Sequence, residues 1–305
     1  MANYKLLKRL ERIVYLLKSK PGITKKKIID VLQTNYDLNI SERTLERDLK
    51  NLNQDFGFQI EYKSMDKGYF LEEDPDRIAA FVKFAELSSL ADLYEKGLKD
   101  YKTFKELIIP DDSSNFKGID NMKLIITSIS NKQQLSFTKI NYNETIEKQY
   151  EVTPLILKEY LNRWYLIAVP NGMEEIRTFG LDRIQQLKVL KTNGVKVKDE
   201  AKQLAQFKDI VGLNFNESDS VEEIVLKVDN TQIKYLRSLK LHHSQVCVEN
   251  SNNTGWGTVT YKLKPNYEFE MQLLKLGAMV EVLKPLYFRE KIANRIAEMN
   301  AIYNR

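Results

Sequence analysis

In this 305-residue chain the side chains Arg43, Arg47, Lys50 and Gln54 recur at steps of four, three and four, the spacing that sets residues on one face of an α-helix. Leu45, Leu49, Leu52 and Phe56 repeat at the same steps about half a turn away. A helix of this kind buries its apolar stripe and turns its basic face toward a polyanion. Arginine's planar fork matches guanine O6 and N7, and the N-terminal end of a recognition helix is the part that enters the major groove. Arg43, Thr44 and Arg47 are therefore placed to meet bases or phosphates, with Ser41 as the expected N-cap. Glu42 and Glu46 on the same helix would repel phosphate, which argues against indiscriminate binding.

Two further groups of cations fit the same chemistry. Lys25, Lys26 and Lys27 open the preceding helix, where charge and helix dipole together would hold phosphates. Lys63 and Lys67 lie in an expected hairpin and would reach the adjacent backbone. The net charge of +5 is small for the length, but residues 1–72 hold fourteen Lys and Arg against ten Asp and Glu. Most of the excess is thus N-terminal.

Other chemistries lack their residues. Only Gly255 and Gly257 fall two apart, with no third glycine and no following Lys-Ser/Thr, so neither a dinucleotide fingerprint nor a P-loop is present. No G-x-S-x-G elbow occurs, and neither His242 nor His243 sits in a zinc-enzyme context. In a strand these two histidines would point to opposite faces. Cys247 is the single cysteine, so no intramolecular disulfide and no Cys/His metal cage can be assembled. Neither catalytic residues, a cofactor nor a metal is expected, and an enzyme is disfavoured. No apolar run approaches the ~20 residues of a membrane span, and no secretory signal is visible. The expectation is a cytoplasmic protein without a membrane partner.

The elements that must carry these residues follow from periodicity. Leu6, Leu7, Leu10, Ile13, Val14 and Leu17 predict a helix over 4–18, stopped by Pro21-Gly22; Thr24 caps a second helix and Ser41 a third. Strands at 58–63 and 69–71 flank a turn at 65–68, and three helices with this hairpin predict a winged helix-turn-helix over 1–72. A helical connector is expected over 73–117, with its helix at 74–97 continuing less regularly through Phe104 to Pro110 and an exposed boundary at 111–118. A helix at 119–130 and short strands at 135–140, 147–152, 155–160, 163–169, 175–179 and 186–190, with turns at Asn141, Asn143, Asn162 and Asn171-Gly172, suggest a small β-barrel over 118–192. After a linker at 193–219, residues 220–305 alternate as βαββαβ, the ferredoxin-like split unit, with a helix appended at 286–303. The fold class is a multidomain α+β protein.

The run Ser41-Glu42-Arg43-Thr44-Leu45-Glu46-Arg47-Asp48-Leu49, with a wing ending Gly68-Tyr69-Phe70, resembles the winged helix of WYL-domain transcriptional regulators. Asn162-Arg163-Trp164-Tyr165-Leu166 contains the triplet that names the family, and Arg177-Thr178-Phe179-Gly180-Leu181-Asp182-Arg183-Ile184 is similar to its second signature. The terminal βαββαβ unit is similar to the C-terminal extension (WCX) domain of these regulators. The resemblance implies an Sm/SH3-like barrel that senses a nucleic acid or nucleotide-like ligand, coupled to a dimeric reader of a double-stranded DNA operator, more often a repressor. The sequence departs from the family at Val152-Thr153-Pro154, where a histidine is common in the middle. Gln149 and Tyr150 stand where basic residues often come, leaving Lys158 to compensate.

The same residues carry their own reading. In the strand at 163–169, Trp164, Leu166 and Ala168 share one face and Arg163, Tyr165, Ile167 and Val169 the other. Trp164 and Leu166 read as core and Tyr165 as the amphipathic candidate. Arg177 and Phe179 share a face of the next strand and Arg183 follows, so two guanidiniums beside two aromatic rings suit phosphate contact and base stacking. The alternative for Arg183 is an ion pair with Asp182 inside a packed barrel. The runner-up function is a module that binds single-stranded DNA or RNA directly through the barrel, with the N-terminal helices as an accessory grip.

Overall fold

The computed structural model describes residues 4–72, 74–99, 106–107, 117–141, 147–216, 219–249 and 255–304. The expected continuation of the connector through Phe104 to Pro110 falls mostly outside these residues, as do most of the 111–118 boundary and the turn at Asn143. The chain divides into two compact units, residues 1–111 and 112–305.

In the first unit, α1 (Tyr4–Ser19), α2 (Lys25–Tyr36) and α3 (Glu42–Asp55) precede a hairpin of β1 (Ile60–Lys63) and β2 (Gly68–Leu71), and α4 (Pro75–Lys99) follows. The expected caps are in place: Thr24 Oγ1 accepts from the Lys27 amide at 3.3 Å, and Ser41 Oγ from that of Thr44 at 3.2 Å. Asp37, at φ 53°, closes α2. Leu10, Ile13, Leu17, Ile28, Leu32, Leu45, Leu49 and Leu52 form one core, so the stripe on α3 is buried against α1 and α2. The Phe81 ring of α4 meets those of Phe56 and Phe58, at 4.9 and 5.3 Å.

The hairpin is tied to the loop between α1 and α2. Gly22 donates its amide to the Tyr69 carbonyl and Tyr69 returns one to Ile23, both at 2.9 Å, which makes Ile23 a short third strand. At Gly68 the two backbones approach so closely that a Cβ would stand 2.1 Å from the Gly22 oxygen. Here only glycine fits.

In the second unit, α5 (Met122–Ser130) precedes β3 (Gln133–Ile140), β4 (Glu147–Tyr160), β5 (Arg163–Pro170), β6 (Arg177–Gly180) and β7 (Ile184–Asn193). The order is β6-β5-β4-β3-β7, antiparallel throughout. Two of the expected strands are one: β4 pairs with β3 up to Val152 and with β5 from Val152 onward. Pro154, which has no N–H to give a ladder, marks the register shift rather than a break. Among the described residues β6 and β7 do not pair, so the sheet is not closed by hydrogen bonds where a barrel was expected.

The segment expected to be a linker is packed. It contains α6 (Glu200–Ala205) and buries Val197, Phe207, Ile210 and Val211. The buried Gln203 amide donates to the carbonyls of Glu174 and Lys198 and accepts from the Ile176 amide. Beyond it come β8 (Glu222–Asp229), α7 (Asn230–Ser238), β9 (Val246–Val248), β10 (Trp256–Leu263), α8 (Tyr267–Lys275), β11 (Val280–Lys284) and α9 (Leu286–Tyr303). The sheet order β11-β8-β10-β9 interleaves two βαβ units. Ile224, Leu226, Val228, Val259, Tyr261 and Leu263 line its covered face with Ile233, Phe269 and Phe288.

His242 and His243 lie in a turn rather than a strand, with ring centroids 4.1 Å apart. His242 Nε2 donates to the Lys208 carbonyl at 2.7 Å, and Nδ1 accepts from the Ser244 amide at 3.3 Å. Burial lowers its pKa, against the Lys208 hydrogen bond, which raises it. The imidazole is therefore held neutral as a structural joint.

Candidate nucleic-acid interface

Arg43, Arg47 and Lys50 stand exposed on the outer face of α3, and among the described residues none makes an ion pair. Three of the four acids of the same helix are otherwise engaged. Asp48, fully buried, receives Arg9 through Nε at 2.5 Å and Nη2 at 2.9 Å. Glu46 takes the Lys25 ammonium at 2.5 Å, with Glu42 at 3.6 Å. The Glu46 hydrogen bond raises the Lys25 pKa. Lys25 is thus not an open phosphate grip like its exposed neighbours Lys26 and Lys27; it offsets the two glutamates that would repel a polyanion. The sequence showed these acids but not their partners, because Arg9 is 39 residues from Asp48 and Lys25 is 21 from Glu46.

Ser41 and Thr44 are occupied locally, with hydroxyl oxygens 3.0 Å apart. On the hairpin, Lys63 Nζ lies 4.7 Å from the centre of the Phe70 ring. Lys67, at φ 51°, projects from the turn, and both lysines are exposed.

In the second unit the register separates the candidate ligand residues. Lys158 pairs across from Tyr165, Leu157 from Leu166, and Ala168 from Arg177, so Lys158 and Tyr165 share one face while Arg177 and Phe179 share the other. Phe179 is a core side chain, 2% exposed and edge-on to Phe137 and Tyr150 at 5.1 Å. A ring so enclosed cannot serve as a stacking platform. Arg177 is exposed beyond it. The two arginines and two rings therefore do not converge.

What does converge is the face of Tyr165. This phenol is half-buried, and burial raises its pKa; the charges acting on it include Arg163, Asp182, Arg183 and Glu268. Arg163 reaches Asp182 at 3.5 Å. Lys158 lies 5.7 Å from the Phe207 ring, burial lowers its pKa, and among the described residues it makes no ion pair. The Tyr160 hydroxyl meets Gln272 of α8 at 3.5 Å. This side of the sheet, covered by residues 207–210 and α8, is where an anion would find an unneutralised cation. Arg163, on the same face by alternation, was not singled out as a candidate.

Among the described residues no helix is long and apolar enough to cross a membrane, and no group of three or more His, Cys, Asp and Glu is arranged to hold a metal ion. A comparison with curated proteins finds no match. Among solved structures, proteasome accessory factor B/C (PafBC) of Arthrobacter aurescens is 19% identical, with 95% of this chain and 46% of that one covered at a TM-score of 0.34. The chain thus spans about half the length of that protein. A CRISPR Cas-related protein is 13% identical, with 99% of this chain and 86% of that one covered at a TM-score of 0.42. The WYL domain family matches residues 120–189 and the WCX domain family residues 220–299. The first span holds α5 and the five-stranded sheet, the second the interleaved βαβ units, and the chain is a WYL-domain protein that also carries a WCX domain.

Proposed function

We propose that this protein is a DNA-binding transcription regulator, acting as a homodimer without catalytic chemistry of its own, in which the first unit is a winged helix-turn-helix and the WYL domain is the sensor. The observation that carries the reading is the charge arrangement of α3. Its basic side chains Arg43, Arg47 and Lys50 are exposed, while three of its four acids, Glu42, Glu46 and Asp48, are each met by a cation from another helix, the fourth, Asp55, lying at its far end. Without that pairing the face would carry nearly as much negative as positive charge.

A winged helix with two-fold symmetry would read paired half-sites. Repression follows if the bound dimer blocks transcription and an anionic, nucleotide-like or nucleic-acid effector weakens its grip. Such an effector fits the face of Lys158, Arg163, Tyr165 and Arg183. It can shift the DNA equilibrium only by contacts that differ between two states. Such a protein works in the cytoplasm, where the DNA is. Genome-wide mapping of bound DNA, followed by gel shifts on the recovered sites, tests the reading. Symmetric duplex sites with salt-dependent binding are expected; preference for single strands or RNA would replace this function with direct binding by the sheet.

A further inference from the structure

The last helix, α9, outruns the core that it covers. Phe288 and Ile292 are enclosed among the buried side chains of the C-terminal domain. Ile296, Met299 and Tyr303 follow Ile292 at steps of four, three and four, which keeps them on the face that Phe288 and Ile292 turn inward. The core ends before the stripe does, since these three side chains are 52, 48 and 86% exposed. They overhang a groove of about 510 Å³ whose other walls are Leu273 and Leu274 of α8 and Val280 and Val282 of β11, the strand at the margin of its sheet. The charged groups in the lining, Glu281 and Arg289, meet each other at 2.8 Å, so the groove calls for an apolar occupant.

The groove also says which occupant. A foreign partner would have to supply a matching apolar stripe, whereas a second copy of this chain brings one: in a two-fold pair the overhang of each copy fills the groove of the other, and one patch serves both sides. Ala293 and Ala297 flank the stripe on one side and let a second helix come close. Arg295 and Glu298 lie to the other side, 3.9 Å apart, so no like charges are forced together along the stripe. With the groove walls, the patch offers roughly 500 Å² per chain, and a pair would bury about 1,000 Å², the size at which a specific interface begins. We propose that this groove is the self-association surface of the chain, closed by the α9 overhang of a second copy. The proposal rests on the homodimer of the preceding section and names the surface that makes it.

The test is sedimentation velocity on the full chain without DNA, over a micromolar concentration series. The parent is expected to be a dimer. Ile296→Asp and Met299→Asp should each raise the self-association Kd by about a hundredfold, and Ile296→Ala combined with Met299→Ala, which leaves the helix its propensity, should weaken association in the same direction with an unchanged circular dichroism spectrum. Tyr235→Asp, at a large exposed side chain of α7 outside the groove, should leave the dimer intact. Three results overturn the proposal. If the parent dimerises and the groove variants do so equally well, the homodimer stands but its interface lies elsewhere. If the parent is a monomer throughout, the homodimer falls as well. If Tyr235→Asp dissociates the dimer as far as Met299→Asp, the groove is not the surface that holds it.

Discussion

Lys25 shows how a residue of the expected type can act differently from its neighbours. Lys26 and Lys27 can meet phosphates, but the Lys25 ammonium is held by Glu46 and Glu42. Lys25→Ala should therefore weaken duplex binding by releasing two carboxylates beside the groove, and Lys25→Ala combined with Glu42→Gln and Glu46→Gln should restore it. Gel shifts across a salt series decide this, since loss of a simple phosphate contact would not be rescued. Arg43→Ala and Arg47→Ala should each cost about 1–3 kcal/mol of specific binding and relax selection at one base position, with unchanged thermal unfolding. Phe179→Ala belongs to another category: it should destabilise the fold by about 3–5 kcal/mol in urea titrations, because it empties a site between Phe137 and Tyr150. The basic face of α3 was legible because helical spacing alone sets it. The fate of Phe179 was not, since alternation shows that it shares a face with Arg177 and leaves open which side of the sheet is covered.

Among the elements, the helices were the most legible, because their apolar stripes and the caps Thr24 and Ser41 are local signals. Their ends coincide with expectation or differ from it by at most three residues. β4 was misjudged as two strands since Pro154 usually ends a ladder; a strand that changes partners near the proline tolerates it at the register shift. The packed part of the expected linker, residues 197–211, gave no periodic signal, because Val197, Phe207, Ile210 and Val211 are buried singly or in pairs. The Arg9–Asp48 pair joins α1 to α3 and was invisible for a different reason, its separation in the chain. Asp48→Ala removes one partner of a nearly enclosed ion pair and should destabilise the N-terminal helices by about 3–5 kcal/mol, which thermal unfolding followed by circular dichroism would register.

For the molecule as a whole, acid is a probe of the C-terminal half. His242 is neutral and bonded through both ring nitrogens, and burial lowers its pKa from an ordinary 6.5. The unfolded chain therefore takes up the proton first as pH falls, so this contribution is complete above about pH 6.5 and is lost as pH descends toward the folded value. Tm measured from pH 7.5 down to 5 should fall, and His242→Gln should flatten that slope while lowering Tm at neutral pH. At this scale the expected order of modules is matched by the WYL and WCX spans, whereas sensing and assembly are functional claims that depend on a partner.

The approach of Gly68 to Gly22 gives the first unit the character of a caliper. The hairpin turn with Lys67 at one end and the start of α2 with Lys26 and Lys27 at the other share one backbone ladder, through Ile23 and Tyr69, so the backbone positions that carry these cations are tied to one another without any duplex. If the unit reads a duplex as proposed, a jointed wing would settle on wide and narrow grooves alike, whereas a tied one would favour one spacing, so that stiffness of the nucleic acid would become part of what is selected. Gly68→Ala, by wedging the ladder open, should both lower Tm and make binding less sensitive to sequences between the contacted bases, measured as a narrower spread of affinities across spacer variants.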